Sequence, residues 1–218
     1  MAYGSFYEIT NPLTTVARSH FVDWFVNNSS DVPRNFHKHD VAGSNSIAQD
    51  NEIDGGLKLI TGTGASNNIQ IDFNNNRPFN PVGAKTIGVI QKESTENCFM
   101  DGGFKDGYGD DNNQLSFCHI EEYSSIDGIF LQTGSTTTTT GADANALIRW
   151  HTYEIELTPS NNTLKLDGML KATSTTNCPT SKLQPAFKCL TRVGSSKVGR
   201  VKYCEAWNTW ILTRLKKL

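Results

Sequence analysis

Charge is scarce in this chain, long apolar runs are absent, and cysteines stand in no paired spacing. Of 218 residues, 19% are Asp, Glu, Lys or Arg, with 20 basic against 22 acidic and a formal net charge of -2. Phosphate-dominated nucleic-acid binding needs a basic patch, and none is visible before the last few residues. No run of about 20 apolar residues exists, so no helical membrane span is expected. Residues 1–8 carry neither a basic nor an apolar leader segment, so no export signal is readable there. The five cysteines are Cys98, Cys118, Cys178, Cys189 and Cys204. Without a CxxC pair a structural zinc site is not expected. An odd count leaves at least one thiol unpaired. Reduced thiols on strands are the first expectation, and a Cys98–Cys118 disulfide is the alternative.

What fills the space is Ser, Thr, Asn and 18 Gly. That composition favours short strands joined by turns over long helices. The length allows one large sandwich domain with a real core. Residues 21–26 alternate as a strand, and 57–61 and 69–73 follow, each bounded by turn residues. A strand is expected over 84–92. Residues 97–104 and 115–121 read as a hairpin with a long Gly/Asp/Asn tip. A short strand over 129–132 precedes the Thr run 136–140, read as a low-complexity loop. Residues 148–157 alternate Trp150, Tyr153, Ile155 and Leu157, with one slip near His151 that predicts a bulge. Two runs joined at Asp167-Gly168 form the strongest hairpin signal. Strands over 183–190 and 197–207 close the series. About a dozen strands with frequent turns mean an all-β sandwich or barrel. The organisation expected is an N-terminal arm over 1–20, a sandwich over 21–208 and a tail over 209–218.

Residues 148–208 carry a resemblance. Trp150-His151-Thr152-Tyr153-Glu154-Ile155-Glu156-Leu157, then Leu164-Lys165-Leu166-Asp167-Gly168-Met169-Leu170, then Pro185-Ala186-Phe187, then Val201-Lys202-Tyr203-Cys204-Glu205-Ala206-Trp207 recur in family order. This resembles the concanavalin A-like lectin/glucanase superfamily. The opening strands, Phe21 to Phe25 and Gly55 to Leu59, fit as well. The resemblance implies a jelly-roll β-sandwich of two antiparallel sheets over about residues 20–208. Such folds host lectins, glycanases, lyases and viral surface proteins, so the fold does not choose a function.

Catalytic carboxylates are hard to find. Retaining glycosidases need two carboxyls about 5–5.5 Å apart. The family's glycanases place Glu-x-Asp-x-Glu or a close variant on one strand. Here Glu52-Ile53-Asp54 runs into Gly55-Gly56, and Glu154 and Glu156 are expected to face solvent. Adjacent Glu121 and Glu122 point to opposite faces. His119, with Gln114 or Tyr123, is the candidate for lyase chemistry, without a visible reason for them to converge. His37 and His39 make an i,i+2 imidazole pair with no third ligand in view. His151 reads as structural. No catalytic residue is assigned.

Binding candidates are of three kinds. Oxygen-rich residues 101–113 offer Asp101, Asp106, Asp110 and Asp111 to a calcium ion, although the spacing is not that of an EF-hand. Glycan contacts are expected at Tyr108, Asn112 and Tyr123, by aromatic stacking and hydrogen bonding. The chain ends carry Tyr3, Phe6, Tyr7, Trp210, Ile211 and Leu215, apolar residues suited to self-association or to other structural proteins. The function expected is a non-catalytic structural or binding module, of the virion surface, capsid or decoration type, that assembles as a homo-oligomer. A cell-surface lectin or carbohydrate-binding module is the alternative, and a glycan lyase or hydrolase the third. The location expected is a virion or extracellular surface.

Overall fold

The computed structural model describes residues 5–11, 14–25, 35–41, 43–50, 55–93, 96–107, 115–123, 126–134, 136–139, 148–158 and 160–208. For 5–11, 14–18, 41, 122–123, 126–127 and 136–139 it describes the backbone alone. Sixteen strands and no helix occur among these residues. They are β1 Ser5–Asn11, β2 Thr14–Asp23, β3 His37–Val41, β4 Ser46–Gln49, β5 Leu57–Ile60, β6 Asn68–Asp72, β7 Ala84–Lys92 and β8 Cys98–Lys105. Then come β9 Leu115–Tyr123, β10 Ile126–Thr133, β11 Thr136–Thr139, β12 His151–Leu157, β13 Asn162–Leu166, β14 Met169–Ser174, β15 Gln184–Thr191 and β16 Val198–Asn208.

Two antiparallel sheets pack face to face. The nine-stranded sheet runs β1-β2-β16-β7-β12-β13-β14, with β5 also on β16 and β4 on β5. The seven-stranded sheet runs β11-β10-β9-β8-β15-β6-β3. The core lies between them, because alternation sends every second residue inward. Phe21, Phe25, Phe36, Phe73 and Phe187 form one aromatic end of it. Their rings meet edge-on or tilted, at 4.8 Å for Phe21–Phe73 and 5.0 Å for Phe36–Phe73. Leu59, Ile69, Ile71, Met100, Ile120, Tyr153 and Ile155 continue the layer.

Three local expectations change. The Thr run is not a loop: Thr136–Thr139 is the edge strand β11, paired with Phe130 to Thr133 across a turn at Gly134. β-branched threonines favour this extended backbone, which outweighs their low complexity. The irregularity expected near His151 is absent, since His151, Tyr153, Ile155 and Leu157 all point inward. Trp150 simply precedes the strand. Among the described residues the register shifts fall at Ile9/Asn11, Leu164/Lys165 and Val201/Tyr203 instead. The first expected strand, 21–26, starts earlier and stops sooner, as β2, which crosses the arm boundary drawn at residue 20. Asp23 ends it by accepting the Phe25 amide at 2.8 Å, with Phe25 at φ 49°. All five cysteines are free thiols, so Cys98 and Cys118 form no disulfide.

The Asp167-Gly168 hairpin is present as read. Both turn residues have positive φ, 50° and 81°, as a tight two-residue turn requires. Asp167 also anchors the neighbouring strand. Its carboxylate accepts the Thr152 amide at 2.9 Å and pairs with the buried His151 Nδ1 at 2.8 Å. Replacing Asp167 with alanine removes both partners and leaves His151 buried without this acceptor. Equilibrium unfolding should register a loss of about 1–3 kcal/mol; a change below about 0.5 kcal/mol would show that the turn alone fixes the hairpin.

Candidate functional site

Strands of the seven-stranded sheet have two different faces. Met100, Cys118, Ile120, Phe187, Cys189, Ile69 and Ile71 enter the sandwich core. Their neighbours in sequence therefore face away from the other sheet. Across that outer face runs one registered row: Phe130 on β10, His119 on β9, Asp101 on β8, Lys188 on β15, Gln70 on β6 and His39 on β3. Each is directly opposite the next. All but His39 are buried. A small apolar cluster, Leu115, Phe117 and Ala186, is also buried on this side.

His119 is the centre of the row. Its Nδ1 meets Asp101 Oδ1 at 2.5 Å and its Nε2 meets Glu121 Oε2 at 2.9 Å. Glu121 lies two residues along β9, on the same face. Its other oxygen accepts two contacts from Arg192, from Nε at 2.8 Å and Nη2 at 2.7 Å. The Phe99 ring lies 4.8 Å from the imidazole, and Arg192 stands over the same ring at 5.0 Å.

These contacts set the protonation states. Burial alone would lower the His119 pKa, but the Asp101 charge and hydrogen bond, followed by Glu121, raise it to about 9. The imidazolium donates from both nitrogens. Burial alone would raise the Glu121 pKa, but His119 and then Arg192 hold it below its ordinary value. Two carboxylates and two cations thus neutralise one another.

A second cluster stands at the far end of the face. Asp72 accepts from His39 Nε2 at 2.8 Å, Gln70 Nε2 at 2.7 Å and the Asn74 amide at 2.8 Å, with Lys105 Nζ at 3.1 Å. Burial would push its pKa up; His39, then Lys105 and the Asn74 amide, bring it below the usual value. Asp72 and Lys105 both have fully buried side chains.

General acid catalysis on a glycoside needs a carboxyl that keeps its proton beside one that stays ionised. Glu121 is held ionised. A general base needs a free nitrogen lone pair, and the His119 cation offers neither nitrogen. The network holds the sheet together through cross-strand charge pairs.

Only some of the sequence candidates lie among the described residues. His119 does converge with acids, but they are Asp101 and Glu121. Gln114 lies outside the described residues, and of Tyr123 only the backbone is placed, at the end of β9. Asp101 is bound to His119 in the middle of β8, and Asp106 lies just beyond the end of that strand. Asp110 and Asp111 lie outside the described residues, as do Tyr108 and Asn112. Among the described residues no group of three or more His, Cys, Asp or Glu is arranged to hold a metal ion. His39 is committed to Asp72, and His37 is exposed. Glu154 and Glu156 lie on the outer face of the nine-stranded sheet, paired with Lys165 at 2.8 Å and Lys85 at 2.9 Å. Glu52 and Asp54 are outside the described residues. Phe6 and Tyr7 belong to β1, opposite Phe21 and His20 in backbone register. Tyr3, Trp210, Ile211 and Leu215 are outside the described residues. The missed constellation had one signal, the His119-x-Glu121 spacing, which puts both groups on one strand face.

No protein-family model matches the chain, and no curated protein matches it. Solved structures do. A protein of unknown function from Shewanella oneidensis MR-1 is 14% identical, covering 96% of this chain and 94% of its own, with a TM-score of 0.64. An immunostimulatory antigen and pseudo β-1,3-glucanase of Mycobacterium tuberculosis is 12% identical, covering 87% and 98%, at 0.59. The metal-free carbohydrate recognition domain of Emp46p is 8% identical, covering 86% and 95%, at 0.55. At these identities the likeness is one of fold. The fold is the concanavalin A-like β-sandwich that residues 148–208 resemble.

Proposed function

We propose that this chain is a non-catalytic structural and binding module that works in many copies, as a surface or decoration protein of a virion or an extracellular assembly. One observation carries the non-catalytic part: the buried acids and the imidazole on the outer face of the seven-stranded sheet are spent on one another. Glu121 is held ionised, and His119 is kept as a cation. Self-association is supported by the near-zero net charge, which opposes close packing of copies only weakly. Glycans are the partners favoured by the fold, since one structural neighbour is a carbohydrate recognition domain.

Incubation with laminarin, xylan and alginate should release no reducing sugar and produce no unsaturated-uronate absorbance. Turnover that disappears in Glu121→Gln would overturn the non-catalytic reading. Light scattering should give a mass that is a multiple of the monomer. A monomer at all concentrations up to the millimolar range would remove assembly.

A further inference from the structure

On the opposite side of the molecule, the outer face of the nine-stranded sheet, two aromatic side chains come together. Trp24 is 56% exposed, the only Trp among the described residues left so open. It follows the end of β2 and precedes Phe25, which is buried and held at φ 49°. A bulky residue in the left-handed region costs on the order of 1–3 kcal/mol. The Asp23 carboxylate, bound to the Phe25 amide at 2.8 Å, keeps the chain there. With Phe25 turned into the core, Trp24 is pushed outward.

Its neighbour is re-aimed as well. Tyr203 lies at the bulge in β16, where the register against β7 shifts between Val201 and Tyr203. A bulge turns a side chain away from the regular alternation. The two rings meet with centroids 4.5 Å apart and planes tilted by 48°. From the pair leads a short polar relay. Tyr203 Oη donates to Glu205 Oε2 at 2.5 Å, and His20 Nε2 meets Glu205 Oε1 at 2.8 Å. Glu205 and His20 remain about a third exposed, at 28% and 36%.

We infer that Trp24, Tyr203, Glu205 and His20 form a binding platform for one pyranose residue of a neutral glycan. The inference rests on the binding half of the reading above and gives it a place. A pyranose presents a C–H face of slight positive charge, which complements the negative face of an indole. Its hydroxyls lie at the rim of the ring. Among the described residues each Glu205 oxygen meets one donor, and a carboxylate oxygen has a second acceptor position for a hydroxyl. The fixed Tyr203 bond pre-orients that carboxylate, so little order is lost on binding. Glu205 disfavours uronic acids and sulfated sugars by charge. A protein partner is a poorer fit, because the Tyr203 ring against the exposed indole leads at once to the Glu205 carboxylate and His20 rather than to a continuous apolar area.

Affinity electrophoresis in native gels containing laminarin, xylan or galactomannan tests the platform. Wild-type protein should be retarded by at least one of the three. Trp24→Ala should weaken that retardation about tenfold, equivalent to about 1.4 kcal/mol, with an unchanged melting temperature. Tyr203→Phe keeps the ring and frees Glu205, and should weaken it by a smaller factor. Arg192→Ala, on the other sheet, should leave it intact. Retardation that survives Trp24→Ala but is lost in Arg192→Ala overturns the platform while leaving glycan binding by the molecule standing. Retardation equal in all variants also overturns it. No retardation of the wild type in any of the three gels overturns both the platform and the neutral-glycan partner.

Discussion

Replacing His119 with leucine is expected to cost about 3–5 kcal/mol of folding stability, a large share of what a domain of this kind possesses. The cost does not come from the lost imidazole contacts alone. Asp101 and Glu121 are 3% exposed and each loses a charged partner. Glu121 keeps Arg192. Asp101 loses the His119 cation while its side chain remains buried. The double variant Asp101→Leu/His119→Leu removes charge and partner together, and should recover much of the loss. Urea unfolding of the wild type, His119→Leu, Asp101→Leu and the double variant measures the coupling. A single-variant loss below about 1 kcal/mol would mean that the row is solvated and not a closed network.

The same network makes an alkaline limit. The His119 pKa is raised, to about 9 from an ordinary 6.5. Its contribution is therefore full below about pH 6.5 and fades as pH rises through about 9. A shift of this size corresponds to something on the order of 3 kcal/mol for this buried group. Glu121 acts with the opposite sign. Its lowered pKa gives stability that is present above its unfolded value of 4.5 and is lost as pH falls through the folded value. Stability should thus hold across the neutral range and fall on both sides. In His119→Gln the alkaline fall should flatten; an unchanged slope between pH 7 and 9 would place its origin elsewhere.

How far the sequence could be read depended on which forces acted locally. Period-two alternation made β7 legible at both ends, because each inward residue of 84–92 is decided by burial against one core. The Asp167-Gly168 turn was legible because its positive φ angles demand those residue types. Bulges were not, since a bulge records how two distant strands match in length. That is why the expected slip at His151 proved absent while one at Val201/Tyr203 went unread. The Thr136–Thr139 strand was hidden by its composition, and only its pairing with β10 explains it. Asp101 and His119 are 18 residues apart in sequence. They become neighbours through the β8–β9 register, and Arg192 reaches Glu121 from beyond β15. Alternation could place Glu121 on the face of His119. It could not supply the partners that decide whether the pair is a catalyst or a closed charge network.

Truncating Tyr153 to alanine should cost about 3–5 kcal/mol, as for other large buried aromatics. The reason lies in a slot built from both sheets. Tyr153 is fully buried in β12, and its ring lies over Gly88 of the adjacent strand β7 and Gly102 of β8 in the facing sheet. A methyl group at Gly88 would stand 2.5 Å from Tyr153 Cε1 and Oη. One at Gly102 would stand 2.7 Å from Cε1 and 3.2 Å from Phe187. The ring is thus confined from both layers, and a shift away from one glycine drives it into the other. Gly88→Ala should therefore destabilise by about 1–3 kcal/mol through overpacking. The informative experiment combines the two changes. Tyr153→Leu opens the space that a methyl at Gly88 needs, so Gly88→Ala/Tyr153→Leu should be more stable than the sum of its parts predicts, by about 1 kcal/mol or more. Strict additivity in thermal or urea unfolding would mean that the two side chains do not share one cavity, and that the sheets can part here without cost.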